Sequence, residues 1–290
     1  MENLINYFET IPKLHRLIFI VGGLALFWSI ESIIPFFSTK YKKWQHALPN
    51  IFFTITTLLI NVPLAIIFLK SSDWVMANDF GILNWLPDVP FIVYVFIGLL
   101  LMDLIGAYIP HYIEHKVKPL WMIHLVHHTD HNVDATTANR HHPLESIIRF
   151  VFTTLGIFVV GVPIGMVLLY QTLSVVATQF NHANIQLPPK VDYVLSFLIV
   201  SPDMHKVHHH YVMPYTDSNF GNIFSVWDRL FGTFKKLDKK HLIYGVDVFP
   251  DKISNGKILD LLIQPFQKYD KPTIMPQHDP ETFKSGQLKS

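Results

Sequence analysis

Residues 91–115 read FIVYVFIGLLLMDLIGAYIPHYIEH, an apolar segment that runs straight into the first of three histidine clusters. The apolar part, residues 91–109, approaches the roughly 20 residues that a helix needs to cross the hydrocarbon of a bilayer. His111 and His115 follow within one turn, and residues four apart lie on the same face of a helix. The segment therefore predicts a membrane-spanning helix that ends, at the membrane boundary, in side chains able to bind a metal.

Two further clusters and one separate histidine extend this pattern. They read His124-Leu-Val-His127-His128, His205-Lys-Val-His208-His209 and Asn181-His182, and thirteen of the seventeen histidines lie between residues 111 and 210. Neutral imidazole is the commonest metal ligand among side chains. Nine clustered imidazoles exceed the needs of one tetrahedral zinc, and they suit two metals with about four or five nitrogens each. Zinc, iron, copper and nickel all accept imidazole, so the clusters alone do not identify the metal.

The composition is that of a membrane protein. Half of the 290 residues are hydrophobic and 16% are charged, against roughly 25% charged residues in soluble proteins. The formal net charge of +1 argues against nucleic acid as a partner. The chain has no cysteine, which excludes disulfides, thiolate metal sites and a cysteine nucleophile. Residues 1–16 lack a basic start and a small-residue cleavage site, so we expect no cleaved signal peptide.

Three more apolar stretches approach membrane-spanning length. Residues 17–37 and 51–69 predict one helix each. Residues 147–180 are too long for one crossing and contain Gly161 and Pro163 near their middle, which predicts a helical hairpin that enters the bilayer and returns. The predicted fold is all-α, a membrane-embedded bundle of about four transmembrane helices with a cytosolic, histidine-rich helical cap.

Basic residues next to the predicted spans indicate the orientation, because Lys and Arg favour the cytoplasmic side in short loops. Residues 71–90 contain three aspartates and no basic residue. The opposite ends of the neighbouring spans are followed by Lys40, Lys42, Lys43, Lys116, Lys118 and Arg140. This distribution places every histidine cluster on the cytoplasmic face, while Lys13 and Arg16 leave the side of the N-terminus open.

The chain is expected to divide into three parts. They are an N-terminal membrane region (1–102), a histidine-bearing domain that includes the hairpin (103–234) and a C-terminal segment (235–290). Residues 257–266 are amphipathic and are predicted either to lie in the membrane interface or to pack on the cap. The last twenty residues are predicted to form a solvated tail.

The first cluster, His111-Tyr-Ile-Glu114-His115, also spells H-x-x-E-H, the inverted motif of zinc proteases. In that interpretation both histidines bind zinc and Glu114 is the general base. It leaves the other seven clustered histidines without a role. The alternative is that Glu114 helps to orient a ligating imidazole, as metal-bound histidines usually require.

The order H-x3-H, H-x2-HH, N-H, H-x2-HH resembles the fatty acid hydroxylase and sterol desaturase superfamily of integral-membrane di-iron enzymes. Further matching segments are Arg140-His-His-Pro143-Leu-Glu145, Asn219-Phe-Gly221 and Trp227-Asp-Arg-Leu-Phe-Gly-Thr-Phe234. The resemblance runs from residue 103 to residue 234, nearly half of the chain. The chain departs from the family at Tyr112, where an arginine is frequent, and in two additional histidines, His131 and His210; none of these is at a ligand position.

The resemblance implies which residues bind iron. By position the ligands are His111, His115, His124, His127, His128, His182, His205, His208 and His209. His142 is a candidate tenth ligand or a hydrogen-bond partner, and His141 is a less certain candidate whose alternative is a solvent-facing neighbour. The hydrogen-bond partners expected around the di-iron centre are Asp103, Glu114, Glu145 and Asn181. A carboxylate near a helix end can also simply reach the membrane interface, which is the alternative for Asp103. Residues 227–234 are expected to pack the cap.

The resemblance also implies the chemistry: an O2-dependent oxidoreductase with two iron ions that hydroxylates or desaturates a sterol, a fatty acyl chain or a related lipid. Zinc does not suit this reaction because it does not change oxidation state. The chain shows no flavin or nicotinamide glycine motif, so an external electron donor is expected, cytochrome b5 or a ferredoxin with its reductase. The resemblance favours a bacterial inner membrane as the location.

Two other functions stay open on the sequence alone. One is the oxidation of another hydrophobic substrate, a carotenoid or an alkylglycerol ether. The other is a membrane metal transporter or sensor, which predicts polar residues along the spans. The predicted spans are apolar and the histidines gather on one side, which favours the enzyme.

Overall fold

The computed structural model describes residues 3–38 and 41–269, and its regular secondary structure is helical. The α-helices are α1 (Asn3–Glu9), α2 (Lys13–Leu17), α3 (Gly23–Ile33), α4 (Lys43–Ala77), α5 (Ile82–Trp85), α6 (Phe91–Asp103), α7 (Ile109–Lys116), α8 (Lys118–His128), α9 (Pro143–Val160), α10 (Ile164–His182), α11 (Pro189–Leu195), α12 (Pro202–His208), α13 (Val226–Leu230) and α14 (Ile258–Ile263). Within the described ranges, β pairing is limited to three isolated bridges. The all-α prediction is confirmed.

Four helical stretches are long and apolar enough to cross a membrane: Leu14–Ile33, Lys43–Trp85, Phe91–Lys116 and Pro143–Val160. Short π-helical turns join α2 to α3 and α6 to α7, so the first and third stretches are continuous. The first stretch ends before the predicted limit at residue 37. The reason is Pro35, because a proline disfavours the helical conformation of the residue before it.

Helix α4 is longer than predicted and supports the cap. It begins at Lys43, before the predicted start at residue 51, and its 35 residues extend over about 52 Å. Because the hydrocarbon of a bilayer is only ~30 Å thick, part of α4 must reach beyond it. Near the start of α4, Phe53 is fully buried against Val126 and Leu261 of the cap.

The apolar segment 147–180 forms a helical hairpin of α9 and α10. The two helices meet at Gly161, whose φ of 79° is the left-handed conformation typical of a glycine that ends a helix. α9 starts at Pro143, a residue type that suits the first helical position, and the Nδ1 of His142 accepts a backbone N–H of the first turn at 3.2 Å. α10 ends at His182 and so returns the chain to the cap.

An apolar core holds the membrane helices together. Met102 of α6, Ile157 of α9 and Val167 of α10 are fully buried in one cluster. A Cβ at Gly156 would lie 3.2 Å from the sulfur of Met102, so glycine at this position lets α6 and α9 approach closely. The core fixes α6, α9 and α10 side by side. α6 continues through a π-helical turn into the histidine-bearing α7, and α10 ends at His182.

The cap consists of α7, α8 and the segments 129–142 and 183–269. Helix α12 carries the third histidine cluster and is capped by Ser201, whose Oγ accepts from the backbone N–H of Met204 at 3.3 Å. This cap and Pro202 at the first helical position explain why a helix starts immediately before the histidines.

Residues 257–266 pack on the cap through Leu261, which is fully buried. Leu259 and Phe266 remain exposed. Of the two predicted locations for this segment, the membrane interface and the cap, the structure shows that its buried side packs on the cap. The predicted tail, residues 271–290, lies outside the described residues.

Candidate metal centre

The nine predicted ligands come from four helices that meet at the cap end of the bundle. α7 and α8 carry the first two clusters, α12 carries His205 and His208 with His209 directly after its last residue, and His182 is the last residue of α10. Eight of the nine histidines are buried, and the ninth, His115, is half-buried. The interior site thus brings together residues that are distant in sequence. His127 and His182, for example, are 55 positions apart.

The structure divides the nine histidines into two adjacent groups, with the potential ligand atoms of each group within 4.8 Å of one another. The first group is His111, His115, His124, His128 and His208, and the second is His127, His182, His205 and His209. Adjacent histidines belong to different groups because consecutive residues on a helix point in directions about 100° apart. The two pairs concerned, 127 with 128 and 208 with 209, each have ring centroids 5.4 Å apart and perpendicular planes.

In the first group, hydrogen bonds fix which nitrogen faces the centre. The Nδ1 of His111 donates to the carbonyl of Phe220 at 2.8 Å, and the Nδ1 of His208 donates to the carbonyl of Ser218 at 2.7 Å. Their buried Nε2 atoms, and that of His115, have no hydrogen-bond partner among the described residues. Metal-ligating histidines are typically held in this way, with Nδ1–H anchored and the Nε2 lone pair directed at the metal.

In the second group, three ring nitrogens converge. The Nδ1 of His182 donates to the carbonyl of Thr178 at 2.8 Å, which leaves only a lone pair on its Nε2. That Nε2 lies 3.0 Å from the Nε2 of His127 and 3.0 Å from the Nε2 of His205. A cation shared by these nitrogens fits the arrangement, so both groups suit a metal ion.

Burial also favours the ligating form of these side chains. It lowers the pKa of His127, His128, His205, His208 and His209 well below the ordinary histidine value, and the neighbouring histidines lower it further. At neutral pH these imidazoles are uncharged. Metal ions bind the neutral imidazole, so the site does not have to lose protons before a metal binds.

Two buried carboxylates and an arginine surround His124. Glu145 Oε1 accepts from the Nδ1 of His124 at 2.9 Å and from the guanidinium of Arg149 at 3.1 Å. Glu114 Oε2 accepts from Arg149 at 2.7 Å and lies 3.7 Å from the Nδ1 of His124. Glu145 thus holds one histidine directly, whereas Glu114 acts mainly through Arg149.

Comparison with known proteins identifies a domain. Residues 95–233, nearly half of the chain, match the fatty acid hydroxylase family. A fatty acid hydroxylase domain accordingly occupies this part of the chain. An ornithine lipid hydroxylase of Rhizobium tropici is 22% identical over 282 residues, which are 93% of this chain and 82% of that protein. Alkylglycerol monooxygenases of Xenopus tropicalis and Homo sapiens are 27% and 26% identical over 61% and 49% of this chain.

The alignments with the alkylglycerol monooxygenases cover 44% and 30% of those proteins, so the chain spans less than half of their length. No solved structure matches the chain. The relatives are named hydroxylases or monooxygenases, which supports a membrane oxidoreductase as the class of this enzyme.

Three residues expected near the hydroxylase ligands hold other parts of the structure. His142 caps α9, and its Nε2 lies 3.3 Å from the carbonyl of Leu262, so it belongs to neither group. Asp103 accepts the backbone N–H groups of residues 223 and 224 at 3.2 and 3.1 Å. Asn181 donates to the carbonyl of Asn222 at 3.2 Å. Asp103 and Asn181 therefore position the loop around residue 222, and no hydrogen bond joins either to a histidine in the described structure.

His141 lies next to the histidine groups rather than in solvent. Its ring stacks on His127 with centroids 4.5 Å apart and planes 15° apart, and its Nδ1 lies 2.9 Å from Glu145 Oε1. His141, His124 and Glu145 form a third set of potential ligands. Of the two alternatives for His141, the structure favours the one near the centre, where the side chain is half-buried; its spacing of four residues from Glu145 is the sequence feature that indicates this contact.

Replacing Glu114 with Gln should lower the activity by about 10- to 100-fold and leave the metal bound, because Glu114 acts on the centre through Arg149. Turnover and metal content of the same preparation check this expectation. Glu145→Gln is the matched variant and should also weaken metal binding, since Glu145 bonds His124 directly. Complete loss of activity in Glu114→Gln with full metal content would instead favour a general base in a hydrolase.

Proposed function

We propose that the chain uses two iron ions and O2 to hydroxylate an amphipathic lipid at the membrane boundary. The observation that carries the proposal is the pair of adjacent groups of five and four buried histidines at the cap end of the membrane helices. One zinc would not need so many ligands, and zinc has no accessible change of oxidation state. When bound, two irons supply activation of O2 and removal of hydrogen from an unactivated C–H bond.

The chain's own residues orient the ligands and exclude water. The Nδ1 hydrogen bonds of His111, His124 and His208 hold three rings of the first group in fixed orientations. Phe220 is fully buried and packs on this group, with its ring centroid 5.0 Å from that of His115. An apolar wall on the first group favours a hydrocarbon chain as the neighbour of the reacting centre.

The relatives indicate the substrate class. The relative that aligns with 93% of this chain is named an ornithine lipid hydroxylase, which favours a polar membrane lipid with acyl chains. The alkylglycerol monooxygenases among the relatives support an ether lipid as the second candidate. A site where membrane helices meet a cap suits either lipid, because the headgroup stays in water while the chain stays in the bilayer.

We place the cap on the cytoplasmic face of a bacterial inner membrane. The support is the positive charge at the cap end of the spans, Lys42, Lys43, Lys116 and Lys118, and its absence from residues 71–90. Monooxygenation consumes two electrons beyond those of the substrate, and we expect a cytochrome b5 or a ferredoxin with its reductase to deliver them. The cytoplasmic orientation makes the cap accessible to such a donor.

Lipid analysis of a deletion strain tests the proposal. The complemented strain should contain a lipid that is one oxygen atom heavier than its precursor in the deletion strain, and His208→Ala should fail to restore it. A product lighter by two hydrogen atoms would change hydroxylation to desaturation at the same centre. Identical lipids in both strains, with the protein present, would contradict the proposal.

A further inference from the structure

Part of the cap extends along the side of a membrane helix. Asp103 in the third span accepts the N–H groups of Ile223 and Phe224, and the ring of Phe224 lies 6.0 Å from that of Phe96. Nearer the cap, the ring of Phe231 stacks on Tyr108 at 5.3 Å. Phe96 and Tyr108 are twelve residues apart, which is about 18 Å along a helix. The loop 219–225 and the helix α13 that follows it therefore reach well into the depth of the span.

The backbone of this loop is prepared for an apolar environment. Non-helical backbone persists at membrane depth only where the protein satisfies its polar groups. Asp228 accepts the N–H groups of Phe220 and Gly221 at 2.7 and 2.9 Å, and Asp103 accepts those of the next turn. Both carboxylates are fully buried. Two acidic side chains thus accept hydrogen bonds from the backbone N–H groups of four residues, which lipid could not do.

An apolar surface borders the same loop. We call it the α11–α13 patch, and it consists of Tyr193, Val194, Phe197, Leu198, Val226, Leu230 and Phe231, all exposed. Leu198 and Leu230 are 69% and 66% exposed. A backbone hydrogen bond joins the two segments of the patch, residues 193–198 and residues 226–231: the N–H of Ser225 donates to the carbonyl of Leu198 at 3.4 Å. A continuous surface of this kind on a protein marks an interaction site.

Cations and aromatic rings form one border of the patch. The guanidinium of Arg229 lies 4.9 Å from the ring centre of Phe197, and the ammonium of Lys236 lies 5.1 Å from that of Tyr193. Long cationic side chains can keep their stems on apolar surface while the charge reaches water. Aromatic rings with cations are typical of the headgroup level of a bilayer, and anionic headgroups attract the cations.

We propose that the α11–α13 patch is inserted into the headgroup and upper acyl region of an anionic leaflet. Its continuity with the third span at Phe96 and Tyr108 places the patch at lipid depth, and Arg229 and Lys236 complement acidic headgroups. The loop beside the patch carries Phe220, which contacts the first histidine group. The patch therefore brings lipid next to the wall of the metal centre. The proposal rests on the packing and the charge of the patch and holds whatever reaction the centre performs.

Site-specific labels can measure the depth of the patch, because the chain has no natural cysteine. Leu230→Cys and Leu198→Cys, each with a fluorescent label, are compared with Lys240→Cys in nanodiscs that contain phosphatidylglycerol, one chain per disc. Lys240 is a suitable control because its side chain is 64% exposed beside the charged Asp238. Labels on the patch should be quenched by lipid-borne nitroxides and protected from iodide in water, and the control should behave in the opposite way.

The charge of the leaflet supplies a second measurement. In Leu230→Cys combined with Arg229→Gln and Lys236→Gln, the ratio of lipid to water quenching should fall by about fivefold for each charge removed. In discs of neutral phosphatidylcholine, the same substitutions should change the quenching ratio only slightly. The proposal would be overturned if iodide quenched the labels on the patch as strongly as it quenches the label on Lys240→Cys. Labels protected from both quenchers would also overturn it, because they would show that protein covers the patch.

Discussion

Replacing His208 and His209 one at a time should remove metal from different halves of the centre. His208 lies in the first group and His209 in the second, although they are neighbours in sequence. Each alanine variant should retain about one of two irons, and activity should fall by more than the roughly 100-fold seen when a ligand's hydrogen-bond partner is lost. Both metals are needed for the proposed chemistry, so the two activity losses should be similar.

The adjacent His210 is the matched control. It is buried like its neighbours, but its Nδ1 accepts the backbone N–H of Ile243 at 3.2 Å and it belongs to neither group. His210→Ala should therefore keep both irons, with a stability loss of about 1 kcal/mol from the missing hydrogen bond. Metal analysis and Mössbauer spectra of the three variants decide the outcome. Equal metal loss in all three would contradict the division into two groups.

Replacing Arg140 with Lys should destabilise the cap by about 3 kcal/mol. Arg140 is fully buried and donates to the carbonyl of Val126 at 3.0 Å, to Asn50 Oδ1 at 3.2 Å, to Thr129 Oγ1 at 3.1 Å and to the carbonyl of Asn255. A lysine ammonium cannot reproduce the planar fork, so several buried acceptors would lose their partners. Because Val126 lies within the second histidine cluster and Thr129 directly follows it, metal retention should also fall.

Thermal unfolding in detergent, with metal content measured in parallel, checks this prediction. Arg16→Lys is the control, since Arg16 is exposed at the start of the first span and its replacement should change stability by less than about 0.5 kcal/mol. A melting temperature for Arg140→Lys equal to that of the control would show that the buried guanidinium does not hold the cap.

The spacing of the histidines along the sequence was sufficient to predict that they cluster on helices. His111 with His115 and His124 with His127 and His128 are separated by one helical turn, and the helices form where this periodicity implies. The division into two groups depends on how four helices pack, which no local pattern encodes. The carbonyls that orient the rings of His111 and His208 belong to Phe220 and Ser218, which lie on irregular segments 109 and 10 positions away, respectively.

Hydropathy predicted the number of membrane helices, and local chemistry set their ends. Pro35 ends the first span early, and the capped start at Pro143 lengthens the hairpin. The roles of Asp103 and Asn181 were not readable, because both act on a loop more than 40 residues distant in sequence. Their polar side chains suggested a position near the metal, whereas in the structure they form hydrogen bonds with the backbone of that loop.

The most direct test of the account supplies the purified, iron-loaded enzyme with its lipid, an electron donor and dioxygen labelled with oxygen-18. The account predicts a hydroxylated lipid that carries one oxygen-18 atom, formed only when O2 and the reductant are both present. A product whose oxygen comes from water, or a lipid unchanged in the presence of iron, O2 and a competent donor, would contradict the account.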